Sequence, residues 1–215
     1  MTIKKRINQL LFTTVAALSL SAGYWYSQSS QQNRLPAIPS DFEATVFPEP
    51  RELVPFTLED QHGKAFTPEQ LKNKWSMLFF GYTHCPDVCP STLKVLQDFW
   101  RELPEAVRNK TQVVFVTVDP NRDPPETIKE YVKYFEPSFI GVTGNLGQIT
   151  AFTRSLGVLY EYVTTGEGKN NYTVNHSAQI ILIDQQARLR AVFPPPHEAD
   201  EMRNNYQKIY DFYKE

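Results

Sequence analysis

The chain has 215 residues with 41% hydrophobic side chains, room for one substantial domain plus an extension rather than two domains. Its 22 basic and 24 acidic residues nearly cancel and are interspersed, which excludes the basic footprint of a nucleic-acid-binding protein. Two cysteines are too few for a disulfide scaffold and enough for one site.

In chain order, Lys4, Lys5 and Arg6 precede an uncharged stretch that is apolar from Leu10 to Leu20 and closes on Tyr24, Trp25 and Tyr26. A basic start, apolar middle and aromatic end read as a single-pass membrane anchor over residues 1–27. A cleaved signal peptide is the competing reading, because the strongly apolar part is short and Ser19 and Ser21 are small. On either reading the positive-inside rule places the remainder outside the cytoplasm, at the periplasmic face of a bacterial inner membrane. Residues 28–52, polar and proline-bearing, read as a flexible linker, leaving 53–215 as the domain.

Within that domain, 56–58 and 64–66 flank a turn carrying Asp60 and Gly63, which predicts a small hairpin. Residues 77–80 are too short and too uniformly apolar for an amphipathic helix and read as a strand buried on both faces. After Pro90, the residues Leu93, Leu96, Phe99, Trp100 and Leu103 recur at helical spacing. A β-branched run over 112–118 predicts the next strand, and Ile128, Tyr131, Val132 and Phe135 mark one face of a helix over 124–135. A short strand at 139–143 precedes a helix carrying Leu146, Ile149, Phe152 and Leu156, with Gly157 as its stop. A polar loop over 166–171 leads to Val174–Ser177, then two strands at 179–183 and 188–193 form a hairpin, and a helix runs over 198–213. Strand–helix alternation implies parallel neighbours, and the late hairpin an antiparallel edge. The fold class is therefore α/β with a thioredoxin-like order, a central mixed sheet flanked by helices and an N-terminal hairpin extension.

Cys85 and Cys89 fall where the buried strand ends and the helix begins, the region that carries working residues in open α/β sheets. Helix N-terminal amides favour thiolate over thiol, and two cysteines four apart on a helical turn share a face, so the pair can close a disulfide or clamp one ion. The plainer reading is two buried small hydrophobes, but proline follows both cysteines and a histidine precedes the first. Among four histidines, His176 is the best placed partner. Two thiolates and one imidazole suit Cu(I) and can hold Cu(II), whereas structural zinc normally takes four protein ligands. His84 neighbours Cys85 and in an extended segment points the other way.

Three blocks then resemble one family. Phe80-Gly81-Tyr82-Thr83-His84-Cys85-Pro86-Asp87-Val88-Cys89-Pro90, followed by Val118-Asp119-Pro120-Asn121-Arg122-Asp123 and Val174-Asn175-His176-Ser177, is similar to the Sco/SenC copper-binding assembly proteins. The likeness runs from about Phe56 to the C-terminus. It implies a membrane-tethered copper metallochaperone, primarily non-enzymatic, that helps mature the dinuclear copper centre of cytochrome c oxidase subunit II. The implied partners are that subunit and a periplasmic copper donor or thiol-disulfide reductant. By position, the resemblance makes Cys85, Cys89 and His176 the copper ligands and places Asp119 behind them. Many relatives carry aspartate where Asn175 stands. The alternative is a thiol-disulfide oxidoreductase that keeps the oxidase cysteines reduced, with Cys85 and Cys89 as its redox pair. A peroxiredoxin-like peroxidase shares the fold, but Thr83 is misplaced for it.

Overall fold

The computed structural model describes residues 3–32, 44–168 and 171–213. The elements are α1 (Ile3–Gln32), β1 (Thr45–Glu52), β2 (Leu58–Asp60), β3 (Ala65–Phe66), β4 (Trp75–Gly81), α2 (Val88–Glu102), α3 (Glu105–Arg108), β5 (Thr111–Thr117), α4 (Pro125–Phe135), β6 (Ile140–Thr143), α5 (Leu146–Ser155), β7 (Tyr160–Thr164), β8 (Tyr172–His176), β9 (Ile180–Ile183), β10 (Arg188–Phe193) and α6 (Ala199–Tyr213). The first helix lies in one compact unit and everything from β1 onward in another. Its apolar part from Leu10 to Leu20 rises only roughly 16 Å at 1.5 Å per residue, about half a hydrocarbon core. Among the described residues no helix is long and apolar enough to cross a membrane.

Eight strands form one mixed sheet in the order β1-β10-β9-β4-β5-β6-β2-β3. At its centre, β4 and β5 pair in parallel from Trp75↔Thr111 to Gly81↔Thr117 and are buried along their whole length, which is why both read as continuous apolar runs. Stepping from β4 to β5 to β6 in one direction requires right-handed crossovers on one face, so α2 and α4 lie together. On that face Phe99 of α2 meets Tyr206 of α6 at 5.3 Å between ring centroids, and Tyr131 of α4 meets Phe115 at 5.4 Å. The chain then returns across β4 to β9, which puts α5 on the opposite face; there Phe152 packs 5.8 Å from Phe80 and 4.2 Å from Phe56. The expected thioredoxin-like α/β order holds.

The reading of 28–52 as a linker is corrected at both ends, since α1 continues to Gln32 and Thr45–Glu52 is β1. That strand pairs antiparallel with β10, Thr45 opposite Val192 and Glu52 opposite Arg188, so the late hairpin is not an edge. Pro48 and Pro50 suggested a linker, but they sit where the register shifts between Val46 and Arg51, on an outer strand that tolerates missing donors. Residues 33–43 of the expected linker lie outside the described residues. The hairpin over 56–66 forms as β2 and β3 and pairs through β2 with β6. Besides β1, two further strands are additional: β7 and β8 form a separate two-stranded sheet in which Tyr160 faces His176 and Thr164 faces Tyr172.

Candidate metal centre

Topology explains why residues far apart in sequence meet. Because β5 runs parallel to β4, its carboxyl end lies beside Gly81, and the Val118 amide donates to the Gly81 carbonyl at 2.8 Å. Because β9 runs antiparallel to β4, with Ile180 opposite Phe79, the residues just before β9 arrive at the same end. The cysteine segment, the 118–123 turn and the segment ending in His176 therefore converge beyond one strand.

There the Cys85 and Cys89 sulfurs and a His176 ring nitrogen all lie within 4.8 Å of one another. This is the one group of three or more metal-ligating side chains so arranged among the described residues. An ion bonded at roughly 2.0–2.3 Å holds its donors no more than about 4.6 Å apart, so small side-chain movements close the three around one centre. Cys89 is buried and Cys85 half-buried, both as free thiols. His84 stays outside, exposed, with Nδ1 at 3.1 Å from Thr83 Oγ1.

Local structure prepares each donor. The Asp87 side chain does not cap α2; instead the Cys89 amide in its first turn donates to Cys85 Sγ at 3.5 Å. Hydrogen bonding from Cys89, opposed by partial burial, then from His176 and the Asp87 and Cys89 backbones, holds the Cys85 thiol down at about 3. The same contact and near-complete burial push Cys89 up, so Cys85 carries the negative charge and Cys89 the proton. His176 Nδ1 lies 3.1 Å from the Ser177 carbonyl; a carbonyl only accepts, so Nδ1 donates there and Nε2 is the nitrogen that faces the sulfurs. Nε2 is 3.2 Å from Cys89 Sγ. The ring lies edge-on to Phe79 and Tyr82, each at 6.1 Å. Two soft sulfurs and one imidazole fit copper.

Asp119 is fully buried but does not touch the three donors. It pairs with Arg122 Nε and accepts from the Tyr172 hydroxyl at 2.8 Å, bracing the strand that carries His176. Asp123, which sequence reasoning passed over, braces the cysteine side. Fully buried, it accepts from the Thr83 amide at 2.9 Å, the Thr83 hydroxyl at 2.5 Å and the Thr117 hydroxyl at 2.6 Å. Its place in the same short block as Asp119 was the available signal. Asn175 is exposed at the rim beside Val88 and Pro86.

Fold and site together define a thioredoxin-like domain with two sulfurs and one imidazole gathered at the carboxyl end of its central strand. The SCO1/SenC profile matches residues 48–211. The chain belongs to the SCO1/SenC family. It is 36% identical over 176 residues to Protein SCO2, mitochondrial, of Saccharomyces cerevisiae, spanning 81% of this chain and 58% of the yeast protein. The crystal structure of Arabidopsis thaliana ScoI with copper bound is 34% identical with a TM-score of 0.69, covering 74% of this chain and 98% of that one. The structure of Bradyrhizobium japonicum ScoI with copper bound is 36% identical with a TM-score of 0.66, covering 73% and 98%.

Proposed function

We propose that the chain is a copper metallochaperone that helps mature the dinuclear copper centre of cytochrome c oxidase subunit II. Copper is its cargo, held by Cys85, Cys89 and His176. The observation that carries this reading is the meeting of those donors within 4.8 Å, a set whose softness suits Cu(I) and whose imidazole admits Cu(II). Relatives solved with copper bound support it. Before loading, the Cys85 thiolate offers the first bond, while Cys89 gives up its proton as the second sulfur engages.

Copper titration of the reduced protein tests the reading. One equivalent is expected to bind, and Cys85→Ala or Cys89→Ala to abolish tight binding. His176→Ala is expected to weaken Cu(II) far more than Cu(I), since two thiolates alone satisfy Cu(I). A cysteine variant that keeps wild-type copper affinity overturns the assignment.

A half-exposed thiolate beside a buried thiol is also the arrangement of an attacking and a resolving cysteine, which favours thiol-disulfide exchange with the oxidase cysteines as a second reading. Reduction of an oxidised subunit II peptide by the copper-free protein separates the two. In either role the domain works at the periplasmic face of a bacterial inner membrane, kept there by residues 1–27, with a copper donor or a reductant upstream. Recovery with carbonate-washed membranes is expected; recovery in the soluble periplasm as a chain beginning near Ala22 overturns the tether.

A further inference from the structure

His176 does not sit on the main sheet. It ends β8 of the two-stranded β7–β8 sheet, and a lone pair of strands is marginal in water. Pairing of β9 with β4 delivers the chain to this end of the sheet, but His176 lies four residues before Ile180 and outside that ladder, so the pairing does not fix its final distance to the cysteines. Side chains from the 118–123 turn and the cysteine segment must do it.

Arg122 is central among them. Its Nε pairs with buried Asp119, and its Nη1 donates to the Tyr172 carbonyl at 3.0 Å. Its guanidinium lies 3.8 Å over the Tyr172 ring in β8 and 5.5 Å from the Tyr82 ring beside Cys85. Asp119 accepts from the Tyr172 hydroxyl at 2.8 Å, so the same ion pair grips both ends of Tyr172. Further along the hairpin, the Tyr162 hydroxyl donates to the Val118 carbonyl at 2.7 Å and the Val174 amide to the Tyr82 hydroxyl at 3.3 Å. A planar fork that pairs, donates and stacks at once is a task lysine cannot perform.

We propose that Arg122 is a positioning residue that latches the β7–β8 hairpin onto the cysteine segment, and so places His176 where its ring nitrogen completes the metal site. It touches no donor itself; it acts through Tyr172, four residues before His176 on one strand. The consequence for copper rests on the chaperone reading, whereas the latch stands without it.

The test compares wild type with Arg122→Lys, which keeps the charge and loses the fork, and with Tyr172→Phe, which removes only the hydroxyl. In the metal-free full chain, amide exchange of Val174 and His176 is expected to rise at least ten-fold in Arg122→Lys while that of Phe79 and Phe115 stays unchanged. With copper, Cu(II) affinity is expected to fall ten-fold or more with weakened nitrogen hyperfine coupling, and Cu(I) affinity to change less than three-fold. In a His176→Ala background Arg122→Lys is expected to add no further loss of Cu(II) affinity, because it acts through the imidazole. A folded Arg122→Lys protein with unchanged hairpin exchange overturns the latch. If that variant does not fold, unchanged hairpin exchange in Tyr172→Phe overturns it equally. Wild-type protein that binds no copper while hairpin exchange still responds refutes the chaperone reading and leaves the latch supported.

Discussion

Gly81 shows how closely the site is built against the backbone. A Cβ placed there would lie 2.6 Å from Cys89 Sγ and 3.0 Å from the Phe115 ring, so any side chain forces the sulfur out of line with its partners. Gly81→Ala is expected to destabilise the fold by about 1–3 kcal/mol, the usual range for overpacking, and to weaken copper binding; a denaturant midpoint and a copper titration at wild-type values would sink the argument. Asp123 makes the complementary case. Its carboxylate takes three donors in a dry site, and Asp123→Ala orphans them, at an expected cost of about 3 kcal/mol or more, read by equilibrium unfolding. Cys85 carries a pH signature. With its folded value at about 3 and the unfolded thiol near 8.5, the folded chain holds a thiolate where the unfolded chain is protonated. That contribution to stability grows as pH rises from about 3 towards 8.5, and is lost as pH falls through the folded value. Alkylation of Cys85 in the metal-free reduced protein should accordingly vary less than two-fold between pH 5 and 8, where an ordinary thiol changes several hundred-fold. A rate climbing ten-fold per pH unit would show an unperturbed thiol.

At the scale of elements, the parts legible in the sequence are those whose pattern is local. The uniform apolar runs of β4 and β5 and the helical spacing of α2 and α4 are set by burial of their own side chains, and the three functional blocks sit at the ends of these elements. What escaped depends on partners distant in sequence. Residues 45–52 carry two prolines and look like linker until β10 is there to pair with them. Strands β7 and β8 meet the 118–123 turn through tyrosine and arginine contacts, so His176 was legible as a candidate ligand before the strand beneath it was. Strand β1 also shields the sheet. Its removal bares the edge of β10, an open row of backbone donors and acceptors, and frees the Arg190 guanidinium from the Phe47 carbonyl, which it reaches at 3.3 Å. A chain shortened to begin at Leu53 is therefore expected to melt several degrees lower and to self-associate, as read by calorimetry and sedimentation. A shortened chain that stays monomeric with an unchanged melt would return 45–52 to the linker.

For the molecule as a whole, the proposed function asks one pair of sulfurs to serve both metal and redox chemistry. In the reduced protein the two sulfurs lie within 4.8 Å, neighbours at the mouth of α2 that a disulfide would draw to about 2.05 Å. Joining the Cys85 thiolate to the Cys89 thiol removes two electrons and the one proton that Cys89 carries, delivered to an oxidant such as a small-molecule disulfide, which is cleaved to one thiolate and one thiol, and leaves sulfurs that no longer donate as thiolates. His176 alone is then left as a ligand, too little to retain copper. Loading should therefore follow the redox state of the pair, and bound copper should in turn shield the thiols from oxidation, since both processes compete for the same lone pairs. Copper titrations of the fully oxidised and fully reduced protein, with thiol counts before and after, measure both halves. The expected result is one equivalent bound with high affinity when reduced and a loss of at least a thousand-fold in affinity when oxidised. Oxidised protein that holds copper as tightly as reduced would show that the sulfurs are not the ligands and that the metal sits elsewhere.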